Sequence, residues 1–400
     1  MRQVKELVKE KIRQAHGILD ELGIDCHLTL VRETSAMCDP VLRLIFCGDV
    51  VWTSAFMLFR DGTSVAVVGE HDAGMVRELG AYDVVAGYME SMAGPFREQL
   101  ERKNPRQIAI NYDESDAPAD GLTHGLYRKL TGSLLAGTPY AERLASASPI
   151  IARLIGRKTP REVARIERAI ATSEAMLAEL TPRLHAGLTT RQVYDMLQAE
   201  VRRVGLEFAW SPPACPGVTS GPGMAAGHGG PGDVVIEPGH VLRVDFGVKQ
   251  DGYCADLQRC WYFLKPGESA APPEVQRGFD AVLGAVEAAA AALRPGVKGL
   301  EVDAVARRAI TAAGYPEYMH ALGHGLGASA HDGGPLLGPC WDRYGERPHL
   351  VVEAGNVFTI EPGVETPGGV IYLEEDVLVT SEGCHYLSRP QTALTLVGPR

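Results

Sequence analysis

The chain opens on a helical pattern: Val4, Leu7, Val8, Ile12, Ala15 and Ile18 recur at three- and four-residue intervals, with Lys, Glu and Arg between them. The runs CHLTLVRE, VVWTSAFMLF, SVAVVG and QIAINY then read as strands, and Arg60-Asp61-Gly62-Thr63 as a hairpin turn between the second and third. Helical and strand-like patterns alternate in this way to about residue 150. Nothing in this stretch sets His, Cys or acids at ligand spacing, so it reads as a scaffold or dimerisation domain.

A boundary is expected at residues 150–160, dividing the chain into an N-terminal α/β domain over 1–155 and a C-terminal α+β domain over 156–400. Thr159-Pro160-Arg161-Glu162 is a capping box with proline at the first helical position. Val163, Ile166, Ile170 and Leu177 mark the buried stripe of the helix it starts, and Thr189 with Gln192 repeats the capping signature. The pattern also repeats on a larger scale. GLTTRQVYDMLQAEVRRVG (187–205) aligns without gaps on GVKGLEVDAVARRAITAAG (296–314), and EPGHVLRVDFGV (237–248) on EAGNVFTIEPGV (353–364). Each half therefore reads helix, helix, loop, strand pair, and two matches in the same order predict a duplicated α+β unit.

The second match carries chemistry. It lays Asp245 on Glu361, each inside an apolar strand-like run where an unpaired carboxylate is costly to bury. Asp256 and Glu374 follow, each on the strand after a turn. Four carboxylates related by pseudo-symmetry repel one another unless cations lie between them, which predicts a metal site, with two ions expected. Between the acid pairs, HALGHGLGASAHD places His320, His324 and His331 within twelve residues, and glycines 323, 325 and 327 let the backbone pass close to a buried ion or ligand. His228 sits in a Gly-rich loop ahead of Asp245, and no Gly-Lys-Ser/Thr follows to make that loop a phosphate cradle.

Composition narrows the class. With 45% hydrophobic residues the chain has ample material for a globular core, and its net charge of −11 argues against nucleic acid or an anionic membrane surface as partner. No apolar run approaches the roughly 20 residues that span a bilayer. The opening helix is charged throughout, so no secretory signal is expected. Cys26, Cys38, Cys47, Cys215, Cys254, Cys260, Cys340 and Cys384 form no CxxC pair, which fits reduced thiols in a cytoplasmic protein.

In the order and spacing of these residues, over about 157–385, the chain resembles the metal-dependent peptidases of the duplicated pita-bread fold, which include methionine aminopeptidase, aminopeptidase P, prolidase and the metal-free creatinase. The resemblance implies a creatinase-like N-terminal domain and Asp245, Asp256, His324, Glu361 and Glu374 as ligands of two divalent ions. Pattern alone leaves Glu374 and Glu375 open; aligning on VLVT (377–380) puts the ligand at Glu374 and makes Glu375 an outward-facing neighbour. One imidazole among four carboxylates suits Mn²⁺, with Co²⁺, Fe²⁺ or Zn²⁺ also compatible. In such a site a metal-bridging hydroxide attacks the scissile carbonyl. Glu361 shuttles its proton, His228 and His331 serve the tetrahedral intermediate and leaving amine, His320 faces the substrate, and the free amino group binds near Asp245. A homodimer is implied too.

His320, four residues before His324, and the extra N-terminal domain point to the aminopeptidase P and prolidase branch, hence to short peptides cut before proline. Three features depart from it. Tyr372 stands two residues before Glu374, where most proline-specific members carry arginine, and a phenol cannot replace a charged planar donor. Asp332 follows His331 where glutamate is usual. The segment 338–350 is longer, and its Trp341, Arg343, Tyr344 and Arg347 form either a substrate wall or a solvated loop. The alternative is the same metal site acting on a small non-peptide substrate, as a dimethylsulfoniopropionate-type lyase or a small-amide hydrolase.

Overall fold

The computed structural model describes residues 2–224 and 232–398, so His228 lies outside the described residues. The chain divides into two compact units, Met1–Ile155 and Gly156–Arg400. No helix among the described residues is long and apolar enough to cross a membrane.

The first unit is built on a six-stranded mixed sheet. Its strands, from edge to edge, are Val84–Tyr88, Ser64–Gly69, Ser54–Phe59, Cys26–Val31, Ile108–Ile110 and Leu144–Ser146. Asp61 closes the hairpin between its second and third strands in the chain, its Oδ1 accepting from the Thr63 amide at 3.0 Å. The helix Arg2–Leu22 buries Val8, Ile12, Ala15, Ile18 and Leu19 in one of two cores, and Phe96, Leu100, Leu126 and Leu130 belong to the other. Val84–Tyr88 and Leu144–Ser146 escaped the sequence reading. Their residues are half-buried rather than buried, so the edge strands lack the apolar run of the central ones.

The second unit shows the repeat in its backbone. Helices Pro160–Leu180 and Thr190–Val204 precede one set of strands, and Pro273–Ala292 and Gly299–Ala312 precede the other. Both predicted capping boxes form, Thr159 with Glu162 and Thr189 with Gln192. Gly187 and Gly296, equivalent in the repeat, have φ of 93° and 91°. Their amides donate to the carbonyls of Ile236 and Val352, one residue before the matched Glu237 and Glu353. So each half closes its helix pair onto its strand pair by the same hydrogen bond.

In the first half Val241–Phe246 pairs antiparallel with both Gly217–Ser220 and Leu257–Phe263. In the second, Val357–Ile360 pairs with Glu375–Thr380, and Gly363–Thr366 with Gly369–Tyr372. Isolated bridges between Gln258 and Glu374 and between Gly221 and Gly369 stitch the two sets together. One core runs across the unit, with Phe279, Val282, Phe358, Ile360 and Val377 all but fully buried. Each such side chain is worth about 1.5–3 kcal/mol of burial, so the strands that carry the acids are held from beneath.

Candidate metal centre

Strand alternation decides which side chains meet. Within Val241–Phe246 the residues at 243 and 245 share a face, and the register sets Asp245 opposite Gln258 and Arg243 opposite Cys260. Asp256 and Gln258 therefore lie on the same face as Asp245. The Gln258–Glu374 bridge then brings in the strand pair of the second half. His324 arrives differently. Its segment runs beside Val357–Ile360, with the Thr359 amide donating to the His324 carbonyl at 3.0 Å and the Glu361 amide to the Leu322 carbonyl at 2.7 Å. The His324 amide donates to Thr359 Oγ1 at 3.1 Å, which fixes the imidazole next to Glu361.

Asp256, His324 and Glu374 each offer one ligand atom, and these atoms all lie within 4.8 Å of one another. His324 Nε2 is 3.3 Å from Glu361 Oε1 and 3.9 Å from Asp256 Oδ2. Asp245, opposite Gln258 on the neighbouring strand, has its Oδ2 held by Arg243 Nη2 at 2.7 Å. The five side chains named from the sequence thus converge from both halves. Around them, the His331 ring stands edge-on to His324 with centroids 4.3 Å apart. His320 is stacked between Tyr318 and Tyr372, at 5.0 and 5.5 Å, and its Nδ1 lies 2.7 Å from the Ala321 carbonyl.

The electrostatics are those of a site made for a cation. Burial, then the charges of Glu374, Asp245, Asp376 and Glu361, pushes the Asp256 carboxyl well above the usual carboxylate range. Burial, then Glu361, Asp245 and Asp376, does the same to Glu374. Glu361 goes the other way. Burial alone would raise it, but the hydrogen bond and charge of His324, with His320 and Arg243, hold it low. An oxygen-rich set of four carboxylates and one imidazole, mostly buried and mutually repelling, fits a divalent cation by the chemistry of its donors.

Other expectations need correction. Glu375 does not face solvent; it is 1% exposed, sits on the opposite strand face and is neutralised by Arg259 at 3.1 Å, with a hydrogen bond from Ser388. Glycines 323, 325 and 327 are also held by close packing against the protein itself. A Cβ at Gly323 would lie 1.9 Å from the Thr359 carbonyl oxygen, and one at Gly327 would lie 2.0 Å from Asp332 Oδ2. The 338–350 segment is neither free nor wholly solvated. Arg343 stacks on Trp341 and Tyr344, Arg307 lies between Tyr318 and Trp341, and Tyr344 Oη accepts from the Ala321 amide at 2.9 Å. It therefore braces the His320 segment.

Three residues at the centre were missed: Arg243, Gln258 and Asp376. Gln258 Nε2 donates to Glu361 Oε2 at 3.1 Å and to Glu374 Oε2 at 2.8 Å, while Asp376 Oδ2 accepts from the Asp256 amide at 3.2 Å. Their signal was present in the sequence, since each stands two residues from a named acid on the same strand face.

The chain is 33% identical over 229 residues to an uncharacterized peptidase of Staphylococcus saprophyticus, covering 56% of this chain and 61% of that protein. It is 31% identical over 241 residues to an uncharacterized peptidase of Staphylococcus aureus, covering 60% and 64% respectively. Its fold matches an Xaa-Pro dipeptidase from Bacillus anthracis with TM-score 0.74 and 23% identity, over 98% of this chain and 100% of that one. It matches an X-Pro aminopeptidase from Thermotoga maritima with TM-score 0.70 and 25% identity, over 96% and 99%. The mixed α+β chain has the pita-bread fold preceded by an N-terminal domain. Residues 164–381 match the model of metallopeptidase family M24, and the chain belongs to that family.

Proposed function

We propose that the protein is a divalent-metal-dependent peptidase that removes the N-terminal residue of short peptides, preferring proline after the cut. The observation that carries this reading is the convergence of Asp256, His324 and Glu374 within 4.8 Å, with Asp245 and Glu361 beside them. Asp245, Asp256, His324, Glu361 and Glu374 are the residues that would hold the ion or ions, with Mn²⁺ the expected metal. When bound, such a cation polarises a carbonyl and brings the pKa of water toward neutrality.

The remaining chemistry falls to this chain's own side chains. Glu361, held ionised by His324, is the acceptor for the proton of the attacking water. His331, exposed and edge-on to His324, is placed to donate to the departing amine. His228 is assigned a share in stabilising the tetrahedral intermediate, and His320, locked in its aromatic stack, a place on the substrate wall. Asp245 is more open than Asp256, at 23% against 8% side-chain exposure, which suits it to receive the substrate's amino group. Preference for proline is supported by His320 four residues before His324, and by the likeness to the Thermotoga maritima X-Pro aminopeptidase.

The test is hydrolysis of Xaa-Pro dipeptides, Xaa-Pro-Yaa tripeptides, a Met-Ala-Yaa peptide and dimethylsulfoniopropionate by metal-stripped protein refilled with Mn²⁺, Co²⁺ or Zn²⁺. Metal-restored cleavage before proline that disappears in Glu361→Gln is the expected result. Metal uptake without cleavage of any peptide overturns the proline reading, and turnover of dimethylsulfoniopropionate would replace it with the lyase alternative.

A further inference from the structure

The centre contains one buried cation side chain that no part of the proposed chemistry uses. Arg243 is 5% exposed in a strand whose one other polar residue is Asp245. Its Nη2 donates to Asp245 Oδ2 at 2.7 Å and its Nε to Gln258 Oε1 at 2.7 Å. Gln258, 1% exposed, passes the contact on, its Nε2 donating to Glu361 Oε2 and Glu374 Oε2. One guanidinium and one amide thus touch three carboxylates, one in Val241–Phe246, one just after Val357–Ile360 and one just before Glu375–Thr380. The remaining nitrogen, Nη1, is buried without a hydrogen-bond partner among the described residues, and the guanidinium lies 5.2 Å from the centre of the Tyr372 ring. That ring is seated over Gly363, where a Cβ would come within 2.3 Å of it. Tyr372 therefore covers the guanidinium and keeps it from solvent.

A bare ion pair between Arg243 and Asp245 would only neutralise charge. The relay does more. Two of its donors are the paired hydrogens of a single amide, so Glu361 Oε2 and Glu374 Oε2 are held at a separation set by that amide. Gln258 in turn cannot flip, because Arg243 Nε requires its oxygen on the other side. Partners of this kind orient the carboxylates that face a metal and tune its affinity.

Resting on the reading that these acids hold a metal, we propose that Arg243 and Gln258 are the positioning pair of this centre. Together they orient Asp245, Glu361 and Glu374 and supply, from the Val241–Phe246 strand, the guanidinium that the sequence lacks at position 372. The two sources are neighbours in space, since Tyr372 and Arg243 are in ring–cation contact.

The experiment is calorimetric titration of Mn²⁺ into metal-stripped protein, with the melting temperature in chelator as a check on folding. Gln258→Leu and Arg243→Lys leave the net charge unchanged but break the relay, because lysine cannot fork between Asp245 and Gln258. Each is expected to weaken Mn²⁺ binding by roughly 10–100-fold. Wild-type affinity in both, to within about threefold, overturns the proposal. Should the leucine variant not fold, Gln258→Asn keeps the amide but shortens its reach, with the same two outcomes. The pair Arg243→Leu and Arg243→Leu/Tyr372→Arg tests the exchange of position. The double variant is expected to bind Mn²⁺ at least about tenfold tighter than the single one; equal affinity refutes the exchange. A wild type that takes up no Mn²⁺ would instead sink the metal reading itself.

Discussion

Replacing Glu374 by glutamine should stabilise the metal-free protein while abolishing its response to metal. Glu374 is 1% exposed, and its ligand oxygen lies within 4.8 Å of that of Asp256. Two ionised carboxylates at that separation repel by roughly 3.5 kcal/mol at an effective dielectric of about 20. The protein can escape only by protonating one of them, which at neutral pH costs about 1.4 kcal/mol per unit between the acid's unfolded pKa and the ambient pH. Either way a strain of some 3–4 kcal/mol is stored in the centre. Glutamine has the same shape, keeps an oxygen for the Gln258 amide and carries no charge, so the strain is released. In chelator at neutral pH, Glu374→Gln should therefore melt about 7–14 °C higher, at about 2–4 °C per kcal/mol for a unit of this size. With Mn²⁺ added the order should reverse, because the wild type gains binding energy and the variant does not. Scanning fluorimetry with and without Mn²⁺ reads both arms. A variant that melts no higher than wild type in chelator refutes the view that mutual repulsion dominates the site.

Two further outcomes follow from the same geometry. Asp256 and Glu374 have folded-state pKa values raised by burial and by the charges of neighbouring acids, so the metal-free fold binds more protons than the unfolded chain. Their contribution to stability is fully present below the unfolded values near about 4 and is lost as pH climbs toward the folded ones. Mn²⁺ must displace those protons, so affinity should rise with pH; titrations in buffers of different ionisation enthalpy should show proton release, and pH-independent binding would contradict the assignment. Separately, Lys158 and Asp332 form an ion pair at 3.2 Å with side chains 1% and 4% exposed. Lys158→Met leaves Asp332 buried without that cation and should cost about 3–5 kcal/mol in urea denaturation, while adding Asp332→Asn should recover most of it.

How much of this was legible depended on whether the signal was local. The capping boxes at Thr159 and Thr189, the hairpin turn at 60–63 and the central strands of the first unit are set by neighbours in sequence, and they form as read. The repeat was legible because duplication copies residues, and Gly187 and Gly296 keep the same unusual φ. The convergence of Asp245 with Glu361 required only that the two halves face each other. What could not be read was anything depending on which residues pair across strands. The amide bridge from Gln258 to Glu361 and Glu374 spans 103 and 116 residues of chain. Glu375 looked outward because alternation puts it on the opposite face from Glu374, and only the fold reveals Arg259 and Ser388 buried behind that face. The glycines at 323 and 327 were read by the company they keep, near histidines, and their packing against the Thr359 carbonyl and Asp332 emerges only in the fold.

Tyr372 shows why a motif position and a chemical role must be kept apart. Read along the chain, a phenol where arginine is expected subtracts a charge from the site. In the fold that charge is present, brought by Arg243 from the Val241–Phe246 strand and covered by the Tyr372 ring. The Val241 amide donates to the Gly368 carbonyl at 2.7 Å, which brings the start of the Val241–Phe246 strand beside Gly369–Tyr372 and lets a long side chain reach across. The direction of approach changes what the guanidinium can do. Coming from 243 it forks between Asp245 and Gln258 beneath the aromatic ring, and so acts on the acids rather than on a substrate in the open part of the site. The face presented above it is then the aromatic one of Tyr372 and His320, with Tyr318 and the Trp341–Tyr344 stack behind. Tyr372 and His320 offer rings there, while Arg307 and Arg343 are packed on the rings behind them. Under the proposed peptidase reading, that aromatic face is what the residue after the cut would meet, which suits the pyrrolidine of proline better than an acidic side chain.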